Sequence, residues 1–184
     1  LAKYPNIFII SDEIYEHINF VGGHVSIAGI PGMYDRTITV NGVSKAFAMT
    51  GWRIGYAVGP ENIIAAMTKV QVESSSCASS ISQAAAEAAL NGPQNLLQPM
   101  LMAYQQRHNY VLAQLSAIPG IDVLPSQGTF YTFPNCQQAI ERLGYEDDVA
   151  LVKAILTHTG VALVPGSAFG MAGHFRLSYA TDLT

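Results

Sequence analysis

Asn41-Gly42-Val43-Ser44-Lys45-Ala46-Phe47-Ala48-Met49-Thr50-Gly51-Trp52-Arg53-Ile54-Gly55-Tyr56 is the stretch on which the reading of this chain turns. It lies between two strand-like runs. Thr37-Ile38-Thr39-Val40 precedes it, rich in β-branched residues, and Arg53 to Val58 reads as another strand, stopped by Gly59-Pro60. Further upstream, Ile7-Phe8-Ile9-Ile10 is continuously apolar, the pattern of a strand buried on both faces of a parallel sheet. It ends in Ser11-Asp12-Glu13, so charge arrives where the strand should leave the core. If the runs at 7–10 and 37–40 share one parallel sheet, Asp12 and Lys45 leave the same carboxyl edge, where open α/β sheets bind ligands. Tyr15 follows Asp12 by three residues, and Arg53 follows Lys45 by eight.

Downstream, Pro60-Glu61 opens a helix that should run to about Val72, with Pro suited to the first turn. Ser79-Ser80 is a capping signal for a helix over Ile81–Leu90, with Gly92-Pro93 as its stop. From Gln94 to Ile118 the pattern is amphipathic, with Leu97, Leu101, Tyr104, Val111, Leu112 and Leu115 on one face. Pro119-Gly120 ends it. Short strands are then expected near 122–124 and 129–133, a helix near 147–158, and strands near 161–164 and 174–179. The expected class is α/β: a mostly parallel sheet domain over 1–92, a bridging helix over 93–120 and a small α+β domain over 121–184.

Composition narrows the partners. The 184 residues carry 9 Lys+Arg against 13 Asp+Glu, a net charge of -4. No basic patch points to nucleic acid or an anionic membrane surface. Charged residues are 12% of the chain and apolar ones 49%, which excludes disorder. No apolar run reaches the roughly 18 residues of a membrane span. So little charge suggests a surface that packs against further chain or a partner. Cys77 and Cys136 make no disulfide framework and suit a reducing, cytoplasmic setting. The histidines are scattered singly, without zinc-ligand spacing, so no metal is expected.

A carboxylate, a phenol, an amine and a guanidinium at one sheet edge have plain structural readings one by one. Asp12 can cap a helix, Tyr15 can fill a core, Lys45 can be solvated and Arg53 can pair on the surface. Together they match what pyridoxal phosphate asks for. That cofactor takes a lysine amine at its carbonyl and a carboxylate that keeps its ring nitrogen protonated, so that the ring can draw in electrons. A phenol can donate to its ring oxygen, and a guanidinium can grip its phosphate by charge-assisted hydrogen bonds.

Two segments, Ser11-Asp12-Glu13-Ile14-Tyr15-Glu16 and Asn41 to Tyr56, closely resemble the class I aminotransferases of fold type I, nearest to their bacterial aspartate aminotransferase branch. Phe175-Arg176-Leu177-Ser178-Tyr179-Ala180 resembles that family's late strand. Pro125-Ser126-Gln127-Gly128-Thr129-Phe130-Tyr131 and Val164-Pro165-Gly166-Ser167-Ala168-Phe169 also look like family segments, and all stand in family order. The resemblance implies roles residue by residue. Lys45 would bond the cofactor and shuttle the proton, Asp12 would face the ring nitrogen and Tyr15 the ring oxygen. Arg53 would hold the phosphate with help from Ser44, and Arg176 would bind the substrate α-carboxylate. One departure is Gly42, where some relatives place a phosphate-binding Ser.

Family members begin well upstream of Leu1 and usually continue past Thr184 into a final helix. The resemblance therefore implies a C-terminal portion, part of the large cofactor-binding lobe plus the small lobe, inactive alone and homodimeric when whole. The implied reaction moves an amino group between an amino acid and a 2-oxo acid. Two alternatives stay open: a pyridoxal-dependent carbon–sulfur β-lyase, and an aminotransferase-like sensor domain of a transcription regulator.

Overall fold

The computed structural model describes residues 3–182, so Leu1 and Thr184 lie outside the described residues. The chain divides into two units, one up to Gln98 and one from Pro99 onward.

The first unit is built on a three-stranded sheet in the order β1-β2-β3: β1 (Ile9–Asp12), β2 (Thr37–Gly42) and β3 (Gly55–Val58). β1 and β2 are parallel, with Ile9 opposite Thr37 and Asp12 opposite Val40. β3 is antiparallel to β2, with Gly42 opposite Gly55. The expectation that the first strand is buried on both faces does not hold. β1 starts at Ile9, its burial alternates along the strand, and Ile10 is 73% exposed. Its apolar run is that of an interior strand, yet among the described residues β1 pairs with β2 alone. The third strand is also shorter than expected. Arg53 belongs to the turn before it, because a single 3₁₀ turn, Thr50–Trp52, ends at Arg53 in the left-handed region.

Two helices follow, α1 (Glu61–Ser75) and α2 (Ser80–Asn91). Ser79 occupies the N-cap of α2, but its side chain makes no capping bond. The Gln83 side chain instead donates to the Ala78 carbonyl at 2.8 Å, which secures that end. The buried apolar residues of this unit's sheet and turns are Ile18, Met33, Ile38, Val43 and Ala46.

The second unit comprises α3 (Gln98–Ser116), β4 (Tyr131–Thr132), α4 (Gln137–Leu143), α5 (Asp148–Thr159), β5 (Val164–Pro165) and β6 (Phe175–Ser178). Its sheet has the order β4-β6-β5, with both neighbours antiparallel to β6. The expected helix over 94–118 resolves into a 3₁₀ turn, Gln94–Leu97, followed by α3, with Pro99 in the first turn where its missing N–H costs nothing. Residues 122–124 contribute one bridge, Asp122 to Asn135, rather than a strand. The strand near 161–164 shrinks to Val164–Pro165, because the end of α5 holds the preceding residues: Gly160 caps the helix at φ 74 and Thr159 Oγ1 accepts the Val161 N–H.

Helix α4 was not anticipated. Its N-cap is Cys136, a residue type that gives no capping signal, and Asn135 accepts the Gln137 N–H one position earlier. Asp147 caps α5, accepting the Ala150 N–H at 2.7 Å. A core of Leu115, Cys136, Ala139, Ile140, Leu151, Val152 and Phe175 joins α3, α4, α5 and β6. No helix among the described residues is long and apolar enough to cross a membrane.

Candidate active site

The register of the first sheet does the positioning. β1 and β2 run the same way, so Asp12, the last residue of β1, and the turn after Gly42 leave from one edge. β3 runs back and pairs Gly55 with Gly42, so its entry turn, which carries Arg53, reaches that same edge. Asp12, Ser44, Lys45 and Arg53 thus belong to one end of one sheet. Tyr15 follows in the turn beyond Asp12, where the Ile18 N–H bonds to its carbonyl at 2.9 Å.

Asp12 is exposed, and one of its oxygens accepts the Ile14 N–H at 3.2 Å. That bond folds the chain back at the strand end and leaves the other oxygen able to accept from a ligand. Ser44 and Lys45 are half-buried in a turn closed by the Ala48 N–H on the Lys45 carbonyl. Arg53 donates to the Thr50 carbonyl at 3.0 Å. One guanidinium nitrogen is thereby anchored, and the rest of the fork projects from an exposed turn.

Two non-glycine residues in this segment, Ala48 and Arg53, have φ 52. Left-handed conformations of this kind cost about 1–3 kcal/mol and gather at functional sites. Gly42 is packed tightly. A Cβ there would lie 3.1 Å from the Ile54 carbonyl oxygen and 3.2 Å from Ile14 Cδ1. A serine at this position would need these neighbours to give by a few tenths of an ångström. As a donor set, an acceptor carboxylate, a half-buried amine and a turn-anchored guanidinium fit the ring nitrogen, carbonyl and phosphate of pyridoxal phosphate.

Next to Asp12, Glu13 is 6% exposed and organises the strand end. Its carboxylate accepts from Ser11 Oγ at 3.0 Å and Ser26 Oγ at 2.9 Å, and His24 Nε2 lies 3.0 Å from Oε2. Burial pushes this carboxyl up. The hydrogen bonds from His24, Ser26 and Ser11 outweigh that and hold it below its ordinary value. Ligand atoms of Glu13, Glu16 and His24 lie within 4.8 Å of one another. Glu16 already accepts from Asn41 at 2.7 Å, so hydrogen bonding accounts for the cluster. No sequence signal marks this hub, because its members are spread over sixteen residues, Ser11 to Ser26, with no helical or strand spacing.

Arg176 lies in the second unit, on the central strand β6, opposite Val164. Its guanidinium carbon is 4.5 Å from the centre of the Tyr131 ring and 4.8 Å from that of Phe169. Both rings fall in segments that resemble the family, but sequence reading gave them no role.

Comparison with known proteins bears on the whole chain. The family described as aminotransferase class I and II matches residues 1–184. Aspartate aminotransferase of Rhizobium meliloti is 48% identical over 99% of this chain and 46% of its own length. Aspartate/prephenate aminotransferase of Nitrosomonas europaea is also 48% identical, over 100% of this chain and 48% of its own. The crystal structure of the Rhizobium meliloti aspartate aminotransferase superposes with a TM-score of 0.91 at 44% identity, covering 98% of this chain and 47% of that one. The chain thus spans about half the length of the curated relatives it matches. Agreement in sequence and in fold over that full span leaves one assignment: the chain belongs to the class I and II aminotransferases.

Proposed function

We propose that the protein carrying this chain is an aspartate-aminotransferase-like enzyme, which moves an amino group between an amino acid and a 2-oxo acid with pyridoxal phosphate as cofactor. The observation that carries the reading is the sheet register that brings the Asp12, Lys45 and Arg53 segments to one edge. The names of its relatives point to aspartate as a substrate, with prephenate named beside it in one of them. A homodimer in the cytoplasm is the setting this reading expects.

When bound, the cofactor supplies a carbonyl for an amine and an electron sink for charge developing at the substrate α-carbon. The chain's own residues do the rest. Lys45 Nζ takes the α-proton and later returns it, the step expected of a positioned general base. The Asp12 carboxylate accepts the ring N–H and stabilises its positive charge, an electrostatic contribution aimed where charge develops. Tyr15 donates to the ring oxygen. Arg53 holds the phosphate with the donors not engaged by Thr50, and Ser44 adds a hydroxyl. Arg176 takes the substrate α-carboxylate in its fork, a geometry that a lysine ammonium cannot offer.

The test is an amino-transfer assay on the complete protein with pyridoxal phosphate, aspartate and a 2-oxo acid. A new amino acid is the expected product, and Lys45→Ala should cut turnover by about 10²–10⁴-fold, the usual worth of proton transfer by a positioned group. Pyruvate with ammonia as the product, or full turnover by Lys45→Ala, would overturn the reading.

A further inference from the structure

Arg176 has a long, flexible side chain, and a carboxylate-binding fork works only if its plane is fixed before the ligand arrives. Among the described residues no carboxylate pairs with it. What touches it is aromatic on both counts, Tyr131 at 4.5 Å and Phe169 at 4.8 Å. We propose that Tyr131 and Phe169 form an aromatic clamp that positions the Arg176 guanidinium for the substrate carboxylate. This rests on the reading of Arg176 given above and adds two positioning residues to it.

The fold delivers both rings. Tyr131 pairs with Ser178 across β4 and β6, and Arg176 is two residues from Ser178. The ring and the guanidinium therefore share one face of the sheet as diagonal neighbours, within reach of aromatic and long side chains. Phe169 comes from the 3₁₀ turn Gly166–Phe169, and that turn is pinned twice. The Gly166 N–H bonds to the His174 carbonyl at 2.7 Å, and the Ser167 N–H bonds to Asp148, a carboxylate on a residue only 1% exposed. Gly166 can be nothing larger, since a Cβ would lie 2.7 Å from that of His174.

Each ring is also braced. Phe130 lies 4.6 Å from Tyr131, and Phe133 meets Phe169 edge-on at 5.9 Å. A cation resting against ring faces is attracted by their quadrupoles and keeps its N–H donors, which lie in the guanidinium plane, available at the edge. A carboxylate binds a guanidinium at that edge. The clamp thus holds the cation without consuming the hydrogen bonds its ligand needs, which an acidic partner would do.

The experiment uses the complete enzyme and reads KM, kcat and the affinity for maleate, a dicarboxylate that carries no amine. Tyr131→Leu and Phe169→Leu should each raise KM and weaken maleate by about 2- to 30-fold, the range of one cation–π contact, with kcat and cofactor binding changed less. Tyr131→Phe and Phe169→Tyr keep a ring face and should restore affinity. In an Arg176→Gln background, where the cation is gone, the leucine variants should weaken maleate no further. Phe169 is half exposed, so its variants will fold, and they decide the matter alone if Tyr131→Leu does not. If Arg176→Gln itself leaves KM and maleate affinity unchanged, the role assigned to Arg176 falls. If Arg176→Gln weakens both but the ring variants do not, or the ring-keeping variants fall as far as the leucines, the clamp falls while Arg176 stands.

Discussion

The two units reach stability by different means. In the second, Ile140 is 3% exposed and sits in a core that draws on three helices and a strand. In the first, α1 buries none of its residues and Val70 is 68% exposed. An open groove of about 1000 Å³ runs along β3, α1 and α2, lined by apolar side chains that include Tyr56, Met67 and Leu90. Part of what is buried in the first unit, Glu13, Ile18, Asn41, Val43 and Ala46, lies near the sheet edge, where Glu13 and its hydrogen bonds hold the turns around Asp12. The groups assigned to chemistry therefore depend on a local polar lattice, and Arg176 depends on a closed apolar core. Apolar faces left this open favour association.

The largest contrast should appear in thiol chemistry, because each unit holds one cysteine. Cys77 is exposed on the first unit, and Cys136 is fully buried in the core of the second. Burial, with the charge of Asp148 adding to it, pushes the Cys136 thiol up to about 11. At pH 8 such a group is a thiolate roughly one part in a thousand of the time, and burial hinders the reagent as well. A maleimide or aromatic disulfide reagent added to the native 184-residue chain should modify Cys77 and spare Cys136 until the second unit unfolds. Similar labelling rates at both sites, read by peptide mass, would break the contrast between the units.

Next come paired truncations. Ile140→Ala removes buried methyl groups from the second core and should cost about 2–5 kcal/mol. Val70→Ala removes exposed ones from α1 and should change stability by no more than about 0.5 kcal/mol. Pulse proteolysis across a urea series measures both in the same chain. Equal losses would mean that α1 is covered in solution, and the groove with it.

This division also explains what could be read from the sequence. The common edge of Asp12 and Lys45 was legible because charged residues mark where a strand leaves a sheet and a parallel β1–β2 pair puts both strand ends together, whereas Arg53 was expected inside a strand and reaches that edge through the turn before β3. The helix expected near 147–158 was legible too, as α5, though not the cap that Asp147 provides. Burial was not. The run Ile7 to Ile10 has an interior strand's composition whether or not a neighbour is present, so its 73% exposed Ile10 could not be foreseen. Neither could the left-handed Arg53, since an arginine in that conformation breaks the local preference that sequence reading relies on. The Tyr131 and Phe169 contacts bring a residue of β4 and one of a 3₁₀ turn to β6, and no periodicity links the three.

An effect smaller than that of Ile140→Ala is expected at Glu13, and it carries a sign. Its carboxyl is held below the ordinary value in the folded chain, because hydrogen bonds from His24, Ser26 and Ser11 outweigh the opposing effect of burial. A carboxyl depressed on folding stabilises the native state fully above its unfolded value, and that contribution fades as pH falls toward the folded one. Glu13→Gln keeps the shape and loses the charge, so at neutral pH it should cost about 1–2 kcal/mol, in keeping with hydrogen bonds to a charged group. The gap between the two proteins should narrow on acidification through the carboxylate range, because the wild type then loses the charge that the variant already lacks. Urea midpoints of both proteins from neutral to acid pH give the answer. A gap that stays constant would show that shape alone holds the strand end, and a gap that widens in acid would mean that the Glu13 carboxyl is raised, not depressed, by the fold.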